Sequence, residues 1–105
     1  MSQQQQYLAA LAQVSDLARE PKKHRKQLEK LLVNKTCIQS QPFTCMVLVA
    51  EVGGRRFYSE GYARQNPVDA WNPEVGRSIA YNRALNQLVS KLDDAVMQHW
   101  FEINV

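Results

Sequence analysis

The sequence predicts an α+β domain: an N-terminal helical arm, an antiparallel β-hairpin or three-stranded sheet, a long packing helix and a short docked C-terminal tail. Three observations carry this. Apolar residues recur at helical spacing near the start, the run FTCMVLVAEV ends in Gly53-Gly54, and a long helical stripe follows an Asn-Pro loop.

In the arm, Tyr7, Leu8, Leu11, Val14 and Ala18 fall three and four residues apart, which predicts an amphipathic helix over residues 5–19. Pro21 suits the first turn of a second helix whose stripe is Leu28, Leu31 and Leu32. The arm is thus expected over residues 1–34 and a ββα core with its tail over 35–105, forming one domain. Residues 34–42 are turn-prone, with room for a short strand at 36–39.

The Gly-Gly link is a hairpin signal because glycine reaches the positive φ that primed turns require. It sets Val52 opposite Arg55 and fixes two faces. Met46, Leu48, Ala50, Phe57, Ser59, Gly61 and Ala63 form the face expected against a helix. Phe43, Cys45, Val47, Val49, Tyr58, Tyr62 and Arg64 lie on the other, a partner surface or a bed for the arm.

Asn72 is placed to cap the last helix, with Pro73 at its first position and Glu74 near the positive end of its dipole. Ala80, Tyr81, Ala84, Leu85, Leu88 and Leu92 make its stripe, whereas Ile79 and Arg83 fall on another face and suggest a subunit contact. Trp100, Phe101 and Ile103 make the tail apolar enough to require docking.

Composition excludes several classes of function. With 45% hydrophobic and 22% charged residues the chain is neither disordered nor membrane-spanning, and it lacks a signal-peptide pattern, so a cytoplasmic protein without membrane partners is expected. Cys37 and Cys45 have no metal-ligand spacing, and no cofactor motif occurs. His24 and His99 stand far apart, and no nucleophile has an oriented base, so the expectation is not an enzyme. The net charge of +3 is concentrated at Lys22, Lys23, Arg25 and Lys26, a solvated helix face or a phosphate contact.

The segment QNPVDAWNPEVGRSIAYNRAL then has two readings. It is a rigid entry to a helix, with Trp71 plugging the core, or it is a ligand site. In the second, a helix N-terminus favours an anion, Trp71 offers a face for a base, Arg64, Arg77 and Arg83 supply charge, and Asn66, Asp69 and Asn82 supply hydrogen bonds.

Residues 61–88, GYARQNPVDAWNPEVGRSIAYNRALNQL, share a pattern with small phage and bacterial proteins: a Gly-x-Ala strand end, a Pro-x-Asp-x-aromatic loop, and an Ile-Ala-x-x-Arg-Ala-Leu helix. The segment resembles the phage-encoded Thoeris anti-defence family, oligomeric sponges that hold cyclic ADP-ribose signals, and in some members cyclic oligonucleotides, without cleaving them. That resemblance implies stacking of adenine on Trp71, polar contacts from Asn82 and Arg83, and a homo-oligomer. It is also similar to a family of bacterial proteins resembling double-stranded RNA-binding domains, which implies shape-based contact with duplex RNA. A structural adaptor, anchored through Ile79, Trp100 and Phe101, is the third expectation.

Overall fold

A computed structural model describes residues 3–104, and side chains over 4–99. The order is α1 (Gln3–Arg19), α2 (Arg25–Glu29), β1 (Leu32–Ser40), β2 (Phe43–Val52), β3 (Arg55–Arg64) and α3 (Pro73–Asn104). The strands form one antiparallel sheet in the order β1-β2-β3, with the helices on one face, so the domain is α+β.

The β2-β3 register is the one the Gly-Gly turn dictates: Val52 pairs with Arg55 and Phe43 with Arg64. Gly53 and Gly54 adopt φ of 55° and 85°, in the left-handed region. Gly53 also meets α1, where a Cβ would stand 2.5 Å from the Tyr7 Cα. The Arg55 guanidinium stacks 3.9 Å from the centre of the Tyr7 ring. Together they fasten the arm to the hairpin turn.

The helix-facing strand residues Met46, Leu48, Ala50, Ser59 and Ala63 are all buried. They meet Ala80, Ala84, Leu88 and Leu92 of α3, while Val14, Ala18 and Leu28 close the core from the arm. At Gly61 an added Cβ would stand 2.1 Å from the Ala80 carbonyl oxygen and 2.4 Å from the Ala84 nitrogen. The glycine and the two alanines therefore set the distance between helix and sheet.

Several expectations need correction. β1 begins at Leu32 and runs nine residues, so a division at residue 34 falls inside a strand, and the short strand at 36–39 is its middle. The helix expected from Pro21 is a turn over 21–24 followed by five helical residues, because Leu31 must already lie alongside β2, where its carbonyl accepts from the Glu51 amide at 3.0 Å. The tail is not a separate segment, since α3 continues through it to Asn104; the side chains of Trp100, Phe101 and Ile103 lie outside the described residues. Finally, the arm does not bed on the second sheet face. It packs on α3, leaving Ile38, Phe43, Tyr58 and Tyr62 more than half exposed.

Candidate functional site

The loop of residues 65–72 is held by its own polar groups. The Gln65 amide donates to the Pro42 carbonyl at 2.9 Å, tying the loop to the β1-β2 turn. The Gln65 side chain bridges the loop from within, accepting from the Asn72 amide at 2.9 Å and donating to the Ala70 carbonyl. Asn66 makes an Asx turn: its Oδ1 accepts from the Val68 amide at 3.1 Å and its carbonyl from the Asp69 amide at 3.0 Å. The two Asn-Pro pairs thus have different tasks, the first closing the turn and the second starting α3.

Asn72 caps α3 as expected. Its Oδ1 accepts from the amides of Glu74 at 3.1 Å and Val75 at 3.3 Å, and its carbonyl from Gly76 at 3.2 Å. Those donors are the ones an anion at the helix start would need, and Pro73 has none. A phosphate seated on the helix N-terminus is therefore not what this cap is arranged for.

Between the loop, the ends of β2 and β3 and the first turns of α3 lies a half-open cavity of about 250 Å³. Arg64, Asn66, Asp69 and partly buried Trp71 line it together with Thr44, Val75, Gly76 and Ile79. Gly76 makes room: a Cβ there would stand 2.5 Å from the Thr44 hydroxyl. Gln39 joins the layers beneath, donating to Thr44 Oγ1 at 3.2 Å and to the Pro73 carbonyl at 2.8 Å. The cavity is scarcely charged, offering one guanidinium and one carboxylate. Arg64 lies 5.5 Å from the centre of the Phe43 ring, and Asp69 Oδ atoms have no partner among the described residues.

Four of the seven expected ligand contacts converge, and three do not. Arg77 Nη1 donates to Gln39 Oε1 at 3.3 Å, towards β1. Asn82 Oδ1 accepts from Arg25 Nη2 at 2.7 Å, which leaves it on the arm side of α3. Arg83 Nη1 donates to the Tyr62 carbonyl at 2.6 Å, across the outer edge of β3. Helical geometry separates these side chains from the loop even though they are close to it in sequence.

Sequence reasoning missed Thr44, Val75 and Gly76. Thr44 on a strand face and a glycine in the second turn of a helix were the available signals, since helical glycine costs stability unless close approach requires it. Ile79, expected at a subunit contact, is 40% exposed and lines the cavity.

The basic run is partly neutralised. Lys23 pairs with Glu20 at 3.5 Å and Arg25 with Glu29 at 3.4 Å. Burial, then the hydrogen bond to Glu29 and its charge, pushes the Tyr81 phenol up to about 12 against the opposing effect of Arg25. Tyr62, bonded to Glu60, is also pushed up to about 12, first by that hydrogen bond and then by the carboxylate's charge. Among the described residues no three His, Cys, Asp or Glu side chains converge as a metal site, and no helix is long and apolar enough to cross a membrane.

The fold and site together define a class: a small α+β module whose sheet carries one long helix and whose helix-start loop encloses a ring-sized cavity. A family model described as Rv2632c-like matches residues 39–99, from the end of β1 through most of α3, and the chain belongs to that family. That stretch contains every residue lining the cavity. A search of curated proteins found no match.

Proposed function

We propose that the protein is a non-catalytic binder of a cyclic nucleotide signal of the cyclic ADP-ribose type, which it sequesters as a homo-oligomer, and that this counteracts a bacterial anti-phage defence. The observation that carries the binding step is the cavity beside Trp71, whose indole is neither sealed in the core nor free in solvent. Its volume of about 250 Å³ falls just below the roughly 300–1,000 Å³ of small-molecule pockets. It accommodates one ring system, with the remainder of the ligand lying outside.

In this reading the base enters against Trp71, Val75 and Ile79, where stacking and apolar burial supply affinity. Asn66, whose side-chain oxygen is occupied by the Asx turn, offers its NH₂, and Asp69 accepts from an exocyclic amine or a ribose hydroxyl. Arg64, at the mouth, meets phosphate. None of these groups forms a nucleophile and base pair, so the ligand leaves unchanged. The resemblance of residues 61–88 to the anti-defence sponges supports the choice of nucleotide and the oligomer.

Duplex RNA is the competing ligand, favoured by the order helix, three strands, helix. Calorimetry separates the two. Titration with cyclic ADP-ribose isomers and cyclic dinucleotides should give saturable binding that Trp71→Ala weakens by at least ~100-fold, a loss of about 2.7 kcal/mol. Raising salt should change it little. Binding of RNA alone, falling steeply with salt and with neutralisation of Lys22, Lys23 and Lys26, would establish the competitor instead.

A further inference from the structure

The two edges of the sheet are treated differently. Along β3, three side chains of α3 spaced four residues apart reach over the strand and bind its outward backbone groups. Arg83 donates to the Tyr62 carbonyl at 2.6 Å, Gln87 Oε1 accepts from the Glu60 amide at 2.8 Å, and Lys91 donates to the Tyr58 carbonyl. That edge is closed to any further strand.

β1 has no such cover. Because Tyr58, Glu60 and Tyr62 point outward from β3, alternation through the pairing makes Lys35, Cys37 and Gln39 the β1 residues whose N–H and C=O point away from β2. Among the described residues, no loop or side chain bonds to those groups. The helix layer reaches the strand only through side chains, with Gln39 bonded to Pro73 and Arg77 and Lys35 lying 5.9 Å from the centre of the Tyr81 ring, and Lys35 and Cys37, although on the helix side of the sheet, are exposed. None of these contacts uses an outward backbone group, so those groups stay open to another strand.

We infer that β1 is a self-pairing edge, and that two copies of this chain join antiparallel through residues 34–40, centred on Cys37, into a continuous six-stranded sheet. Three features select a second copy. The register shift between Leu32 and Asn34 leaves Val33 as a bulge, which turns the strand aside there and bounds a regular stretch of residues 34–40. The midpoint of that stretch is Cys37, and its outward groups at Lys35, Cys37 and Gln39 are symmetric about it, as a two-fold contact requires. Charge is compatible, since the one charged residue of the stretch, Lys35, meets Gln39 of the second copy and not its own equivalent.

On the open face the same register sets Thr36 opposite Ile38, a pair of β-branched residues, extending a row that already includes Cys45 and Tyr62. The contact is seven residues long, about 23 Å. It buries less than the roughly 800 Å² per partner of a standard interface, so the dimer forms and separates with concentration, with a Kd in the micromolar range or weaker. The inference is independent of the ligand reading, since no outward group of β1 lines the cavity.

Sedimentation velocity of the full chain from micromolar to near-millimolar concentration tests it. A monomer–dimer equilibrium is expected. Cys37→Glu and Cys37→Lys, which place like charges on the axis, should each weaken it at least ~10-fold, and mixing the two variants in equal amounts should restore dimer. In Cys45→Ser, a short bismaleimide should join Cys37 to Cys37, a hydrogen-bonded pair whose Cα atoms are expected about 5.5 Å apart. A monomer at every concentration, or self-association that both charge variants leave intact, would overturn the inference. So would variants that weaken the dimer without recovery on mixing, or a Cys45→Ser protein that the reagent fails to cross-link.

Discussion

Replacing Gly61 with alanine adds one methyl group where α3 crosses β3. The new Cβ would stand 2.1 Å from the Ala80 carbonyl oxygen and 2.4 Å from the Ala84 nitrogen, both backbone atoms that no rotamer change can move. Ordinary contact begins at 3.4 Å, so the helix must retreat by about 1.3 Å at that crossing. Ala80, Ala84, Leu88 and Leu92, all fully buried, retreat with it and lose contacts with Leu48 and Ala50. Overpacking costs roughly 1–3 kcal/mol where side chains yield, and a backbone clash belongs at the upper end. At about 4–8 °C per kcal/mol for a domain near this size, a fall of roughly 12–24 °C in Tm is expected. Thermal unfolding by circular dichroism measures it. Gly54→Ala is the control, because nothing lies within 4 Å of its Cβ and only its φ of 85° is penalised; about 1 kcal/mol is expected. If Gly61→Ala unfolds within about 2 °C of the parent, the close-approach argument is wrong.

Other consequences are open to measurement. Ser59 is buried and its hydroxyl has no partner among the described residues, so Ser59→Ala should be neutral or stabilising by about 1 kcal/mol in denaturant unfolding. Tyr81 should ionise near 12, not near 10, in ultraviolet titration, and Glu29→Gln should lower that midpoint part of the way, because burial remains. The unfolded phenol releases its proton first, so the stability Tyr81 contributes is complete below pH 10 and declines as pH rises towards 12. The triple substitution Arg83→Ala, Gln87→Ala and Lys91→Ala uncovers the β3 edge and should increase light scattering on storage without unfolding the domain.

Local chemistry was legible in the sequence wherever one residue type answers to one geometry. The Gly53-Gly54 turn fixes the register of ten strand pairs, and Asn72-Pro73-Glu74 marks the start of α3 to the residue. The helix-facing strand residues followed from alternation alone. What failed was reach across the fold. β1 reads as turn-prone because its Asn, Lys and Thr lie on an exposed sheet edge, with only Leu32 and Gln39 half-buried at its ends, leaving no alternation of burial to detect. The site divided for a similar reason: Arg64, Asn66, Asp69 and Trp71 belong to one loop and its strand, whereas Arg77, Asn82 and Arg83 project from a helix whose rotation sends each to a different neighbour. The contribution of Thr44 and Gly76 depends on a sheet-to-helix approach that no local pattern encodes.

The central claim is that the cavity beside Trp71 holds a nucleotide and releases it unaltered. Native mass spectrometry of the full chain with a panel of cyclic nucleotides, followed by recovery of the ligand, tests this directly. The account predicts a mass gain of one ligand per cavity, a recovered ligand of unchanged mass, and loss of the gain in a Trp71→Ala protein with an unaltered Tm. A gain that survives Trp71→Ala, a ligand recovered as a cleaved product, or no gain with any member of the panel would contradict it.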